Sequence, residues 1–350
     1  MPSVDLPTNI PRRQPRLSKR IVQTIGWIGF VGGGVVTPRL AAKAAARVWC
    51  KLPGNAGRRK DNRPRPGQLS RILTPAQAQL AIETWEPAGP QSHVGGSGQI
   101  GGSGQPADAG QVGGAGQVGG SGQVGGAGQP ADAVRPDPAR TVLLVHGWGG
   151  WRGQVASFVA PLTAAGFRVI AFDALSHGDS GPGEHGATHS SGGELMASLE
   201  TVVHGIGQPY GVIAHSLGCA ASCRSYLRGQ LTFERLTLVS PSPDMRQVAR
   251  TFARRLGFGQ RAERMLTEEM EKRAHGKLAD FDIADMGATG LLPDALVIHD
   301  AIDKEAPYSV AQDIARAWPG ARLMTTEGLG HHRILIDPAV VAAAVANIID

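Results

Sequence analysis

The chain has 350 residues, enough for one large or two ordinary domains with a sizeable core. Its three cysteines, Cys50, Cys219 and Cys223, are too few for a disulfide framework, so a reducing, cytoplasmic compartment is the default. The formal charge of +6 conceals an asymmetry, because residues 1–66 hold fourteen Lys or Arg against Asp5 and Asp61, a net of +12, and the remainder is −6.

Residues 1–70 read as a basic N-terminal arm. After "PRRQPRLSKR" comes the apolar run "IVQTIGWIGFVGGGVV", Ile21 to Val36, which is shorter than the roughly 20 residues a bilayer span needs. The run suits an amphipathic or core-packing helix. The arginine pair Arg12-Arg13 matches an export signal poorly, since "QPRLSKR" separates it from the apolar run. Basic residues without interleaved aromatics argue against nucleic acid and for peripheral contact with an anionic membrane, at the inner surface.

Residues 71–92 hold an early strand, "LAIETWEP", Leu80 to Pro87, with antiparallel pairing expected. Residues 93–138 are a Gly-rich insert built on six consecutive hexads, residues 94–129, of the type VGGSGQ. So much glycine is expensive to order and each hexad offers few apolar atoms, so a flexible segment is expected. Its GxGxxG match, Gly96 to Gly101, has neither the strand before it nor the helix after it that a nucleotide fingerprint needs.

From residue 139 the pattern changes. "TVLLVHG", "FRVIAFD", "YGVIAHS", "RLTLVSP", "DALVIHD" and "ARLMTTEG" are apolar runs of strand length, separated mostly by segments with helical spacing. Such a rhythm predicts an α/β fold with a mostly parallel sheet covered on both faces. At about 244–290 the rhythm breaks into helical patterns with no strand, an excursion expected to form a cap. In a parallel sheet the reactive groups sit after the carboxyl ends of the strands. Those loops present His146-Gly147-Trp148-Gly149-Gly150, Asp173, Ser216, Asp300 with Asp303, and His331 with His332. A serine hydroxyl is a weak nucleophile that needs a base, and the base needs a carboxylate to fix its tautomer. Ser, acid and His follow in that order.

Four motifs carry a resemblance. "HGWGG" resembles an H-G-x-G-G oxyanion loop, "DALSHGDS" a D-x-x-G-H-G-x-S loop, "AHSLG" the G-x-S-x-G elbow, and "HDAIDKEAP" with "GLGHH" the acid and histidine loops. Residues 139–350 thus resemble the α/β-hydrolase superfamily, in its serine esterase and acyl-hydrolase branch with a helical cap. Ala214 and Ser176 stand where the motifs have glycine. The resemblance implies Ser216 as nucleophile, Asp303 as acid and His331 as base, with backbone N–H groups of Trp148 and Leu217 forming the oxyanion hole. Asp300 remains the alternative acid and His332 the alternative base. Ser176 lies in a similar A-x-S-x-G pattern, but "DSGPGEHG" behind it cannot start a helix. His146, His177 and His299 read as packing or hydrogen-bonding residues. Neither a metal nor another cofactor is implied. The expected activity is hydrolysis of a small-molecule acyl substrate. A thioester, an amide, acyl transfer or a non-catalytic binding role on the same fold are the alternatives.

Overall fold

A computed structural model of the protein describes residues 37–54, 60–87 and 140–350. Ile21 to Val36 and the hexads, for which an arm helix and a flexible insert are expected, lie outside the described residues. Eight strands form one sheet in the order β1-β2-β4-β3-β5-β6-β7-β8. They are β1 (Gln68–Leu73), β2 (Gln79–Trp85), β3 (Thr141–Val145), β4 (Arg168–Phe172), β5 (Gly211–His215), β6 (Arg235–Val239), β7 (Ala295–Asp300) and β8 (Ala321–Thr326). β2 pairs antiparallel with both β1 and β4, and β3 through β8 run parallel. The strand from "LAIETWEP" is therefore antiparallel to both of its neighbours.

The central strands are apolar on both faces because helices cover both. On one side Leu195, Leu199, Cys219 and Ile314 from helices pack on Leu143, Ile170 and Val212. On the other, Phe158, Leu162, Val340 and Ile348 pack on Val142, Leu144 and Ile213. From β3 the chain crosses to β4 on one side, then returns past β3 to β5 on the other. That reversal opens a crevice at the carboxyl ends of β3 and β5, where such sheets place ligands.

Between β6 and β7 the chain forms the helices Met245–Arg255, Gln260–Ala274 and Ile283–Gly287, with a 3-10 turn at Leu278–Phe281. The helix Pro38–Trp49 lies against this excursion. Ala42, Ala45 and Ala46 are fully buried against a set that includes Ala249, Phe252, Leu266 and Met270. Arg39, Lys43 and Arg47, at four-residue spacing, face outward. Part of the stretch read as a basic arm is thus an integral helix, and the edge strand β1 begins at Gln68, inside that stretch.

A buried charge cluster ties the early strands to the loop after β3. Glu83 on β2 accepts hydrogen bonds from Arg63, from Arg152 at 2.9 Å and from the Gly67 N–H at 2.8 Å. Arg152, 2% exposed, also donates to Asp173, and to Asp179 at 2.8 Å. Asp173 takes the Arg152 N–H at 2.7 Å and the Asp179 N–H at 2.8 Å. Buried charges persist when they are paired and hydrogen-bonded in this way.

Candidate active site

Ser216 stands alone between the end of β5 at His215 and the start of the helix Leu217–Leu227. Its φ of 53° and ψ of −122° lie where an L-residue is strained, and a strand-to-helix elbow needs that strain to project its side chain. Two glycines permit the tight packing around it. A Cβ on Gly218 would come within 2.6 Å of the His146 carbonyl oxygen, and one on Gly147 within 2.7 Å of the Ser216 Cβ. The loop after β3 is therefore pressed against the elbow, with Trp148 next along it. Trp148 and Leu217 line the same cavity as Ser216. The helix behind the serine directs its positive end toward the hydroxyl, where negative charge is favoured.

The Ser216 hydroxyl lies 3.0 Å from Nε2 of His331, and Nδ1 of His331 lies 2.7 Å from Oδ2 of Asp303. The other oxygen of Asp303 accepts the Glu305 N–H at 2.7 Å and the Ala306 N–H at 3.0 Å. Burial pulls the Asp303 pKa upward, but the His331 hydrogen bond and charge, with those backbone donors, outweigh it and hold the carboxyl below its ordinary range. An ionised carboxylate fixes the Nδ1–H tautomer of His331, so Nε2 faces the serine as an acceptor.

The alternatives from the sequence lie elsewhere. Asp300 is fully buried and satisfied by its own loop, accepting Thr326 Oγ1 and the Leu329 N–H at 2.9 Å each and the Ile302 N–H at 3.1 Å. His332 bridges Glu305 at 3.0 Å and Gln154 at 3.0 Å. Ser176 donates to the Gly186 carbonyl and accepts the Gly183 N–H, so its hydroxyl is occupied within its own loop.

Three histidines support the frame. The Gly149 N–H donates to Nε2 of His177 at 3.2 Å, and the Ala174 N–H donates to Nε2 of His146 at 3.0 Å. Each Nε2 must accept, so each ring carries its proton on Nδ1, which donates to the Leu175 and Gly147 carbonyls respectively. Burial keeps both rings neutral, lowering His146 to about 4 and, with the neighbouring His146, His177 to about 3. His299 lies beneath the acid, its Nε2 on the Ala306 carbonyl at 3.0 Å.

Sequence reasoning missed two contributors. His215 donates through Nε2 to the His331 carbonyl at 2.9 Å, with the two rings 4.8 Å apart. Its pKa is driven well below ordinary by burial, then by the charges of His331 and His332. The second is the part of the cavity wall that comes from outside the expected cap, Trp49 and Cys50. A cavity of about 330 Å³ opens over Ser216, walled by Met245, Val248 and Met270 of the excursion and by Trp49 and Cys50 from the early helix. Among the described residues no group of three His, Cys, Asp or Glu is placed to hold a metal ion.

A model of the alpha/beta hydrolase family matches residues 142–344, more than half of the chain. Solved structures with a similar fold include alpha/beta hydrolase domain-containing protein 10 from mouse, 11% identical with a TM-score of 0.52, covering 81% of this chain and 97% of that one. Another is Est1E from Butyrivibrio proteoclasticus with ferulic acid bound, 15% identical with a TM-score of 0.50, covering 80% and 100% respectively. Likeness at these identities is likeness of fold. No curated protein matches the chain.

Proposed function

We propose, from the premise that the chain belongs to the alpha/beta hydrolase family, that it is a serine hydrolase acting on an ester or related acyl bond. The observation that carries the reading is the continuous line from the Ser216 hydroxyl through His331 to Asp303, set at a strained elbow. In this reaction Ser216 Oγ attacks the acyl carbon while its proton passes to Nε2 of His331. Asp303 stabilises the imidazolium that forms.

The developing oxyanion is received by the backbone N–H groups of Leu217 and Trp148, each such donor contributing about 3–4 kcal/mol in comparable sites. His331 then returns the proton to the leaving oxygen, and an acyl-serine remains. Water repeats the sequence with His331 as base and frees the acid. The close approach of Gly147 to the Ser216 Cβ supports the oxyanion assignment, because it packs the loop that carries Trp148 against the elbow that carries Leu217.

Replacing Ser216 with alanine should lower turnover of p-nitrophenyl esters by about 10⁴-fold or more while the circular dichroism spectrum stays unchanged. Turnover retained within tenfold in a folded Ser216→Ala protein would refute the reading.

A further inference from the structure

Everything the proposed reaction uses lies within residues 142–344, yet the cavity over Ser216 is not closed by those residues alone. The helix Pro38–Trp49 ends at it. Along that helix Ala42, Ala45 and Ala46 let the backbone seat closely on the excursion between β6 and β7, and the Trp49 ring lies 5.4 Å from Phe252. Beyond the helix the chain does not leave the site. The Cys50 carbonyl accepts the Ser190 N–H and the Leu52 N–H donates to Thr188, each at 2.9 Å. Pro53 then sits where a Cβ on Gly149 would be, 2.7 Å from that position, beside the proposed oxyanion loop. Residues 38–54 thus run from the roof of the cavity to its catalytic edge.

The chemistry of the walls restricts what they can hold. Met245, Val248 and Met270 face the cavity with Trp49, and the one charged carboxylate among the lining residues described is Glu305. Its pKa is held low chiefly by the hydrogen bond to His332, so it is negative at neutral pH. No Lys or Arg is among the described lining residues, so an anionic acyl group would meet a like charge and no counter-ion. A volume of about 330 Å³ is near the lower end of the roughly 300–1,000 Å³ typical of ligand sites.

We propose that Trp49 is a specificity-determining residue, forming the wall that limits an uncharged apolar acyl group. This inference rests on the serine-hydrolase reading given above. Shortening Trp49 adds its side-chain volume to the cavity, so longer chains gain burial that the native wall denies them. Each methylene newly buried is worth about fourfold in binding, so two of them favour the longer ester by about fifteenfold. Thioether walls adapt to the added length because methionine is unbranched and flexible.

The test is kcat/KM of the full chain and of Trp49→Ala on p-nitrophenyl esters from acetate to decanoate, with Ser216 labelled in parallel by a small fluorophosphonate. The expected result is an optimum shifted by two or more carbons toward longer chains, about fifteenfold in relative kcat/KM, with the label still on Ser216. Trp49→Phe keeps an aromatic ring against Phe252 and should shift the optimum in the same direction by less, which secures the test if the alanine variant folds poorly. An unshifted profile in either folded variant that still labels at Ser216 would overturn the proposal and leave the hydrolase reading intact. Loss of labelling in the parent chain would overturn both.

Discussion

The floor and the roof of the cavity over Ser216 are built on different principles. The floor consists of loops at the ends of buried parallel strands, and its parts are held by short hydrogen bonds and glycine-permitted contacts. The roof consists of helices whose shared core is mostly alanine and leucine with Phe252 and Met270. It joins the body through backbone bonds at Cys50 and Leu52 and through Phe281, Ile283 and Met286, which pack on the sheet's own core. A group attached to a strand end has little freedom, which a proton relay needs. A helix face of small and flexible side chains can change its volume without disturbing that relay. On the proposed reading, chemistry belongs to the floor and choice of substrate to the roof.

Changes in the floor should therefore act on rate. Asp303→Asn should lower kcat by about 10⁴-fold, because the amide no longer fixes the His331 tautomer. Asp300→Asn should leave kcat within about tenfold and appear instead as a lower melting temperature, since it removes an acceptor shared by Thr326 and Leu329. Steady-state kinetics on the two variants checks this, and equal losses of kcat would break the distinction. His331→Ala and His332→Ala should divide in the same way, with only the first abolishing turnover.

Next in size is the charge cluster under the floor. Removing Arg152 leaves Glu83 and Asp173, both fully buried, without their main counter-ion, which costs about 3–5 kcal/mol in comparable buried pairs. Urea denaturation of Arg152→Ala should show that loss. A shift below about 1 kcal/mol would mean the cluster does not hold the loop after β3 in place.

Smaller, and specific to pH, is the effect of the buried neutral histidines, His146 and His177, to which His215 adds in the same direction. His146 and His177 titrate near 6.5 when unfolded but only near about 4 and about 3 when folded. Below pH 6.5 the unfolded chain thus takes up protons that the folded chain refuses. Their contribution is complete above 6.5 and is lost as pH falls through the folded values. Each can remove up to about 1.4 kcal/mol per pH unit across that window. Thermal melts from pH 7 to pH 5 should fall accordingly, and His177→Gln should flatten the slope. A melting temperature independent of pH over that range would contradict the assignment of both rings as obligatory acceptors.

The floor is legible in the sequence and the roof only in part, since the helical excursion at about 244–290 is expected as a cap while the helix Pro38–Trp49 is not. Strands buried on both faces read as unbroken apolar runs, and each run ended in a residue with chemistry, as "VIAHS" and "LVIHD" show. Nothing comparable marks the helix Pro38–Trp49. Its buried face is alanine, too small to mark a core position by itself, its outward Arg39, Lys43 and Arg47 read as part of the basic arm, and its partner lies some 200 residues away. β1 escaped for the opposite reason, since an edge strand exposed along nearly its whole length, behind "RPRPG", has no apolar alternation to find. His215 carries no signal in the sequence because its partner is a carbonyl 116 residues further on. In the sequence, only the family resemblance separates Asp300 from Asp303. Their different surroundings, a saturated loop cap against a carboxylate directed at an imidazole, emerge only once β7 and β8 are paired.

The central claim is that one serine of this chain, Ser216, is activated. Fluorophosphonate treatment of the full chain followed by peptide mass spectrometry tests it directly. A single adduct is expected on the peptide carrying Ser216, absent from His331→Ala protein. An adduct on the peptide carrying Ser176, or none at all on folded protein, would contradict it.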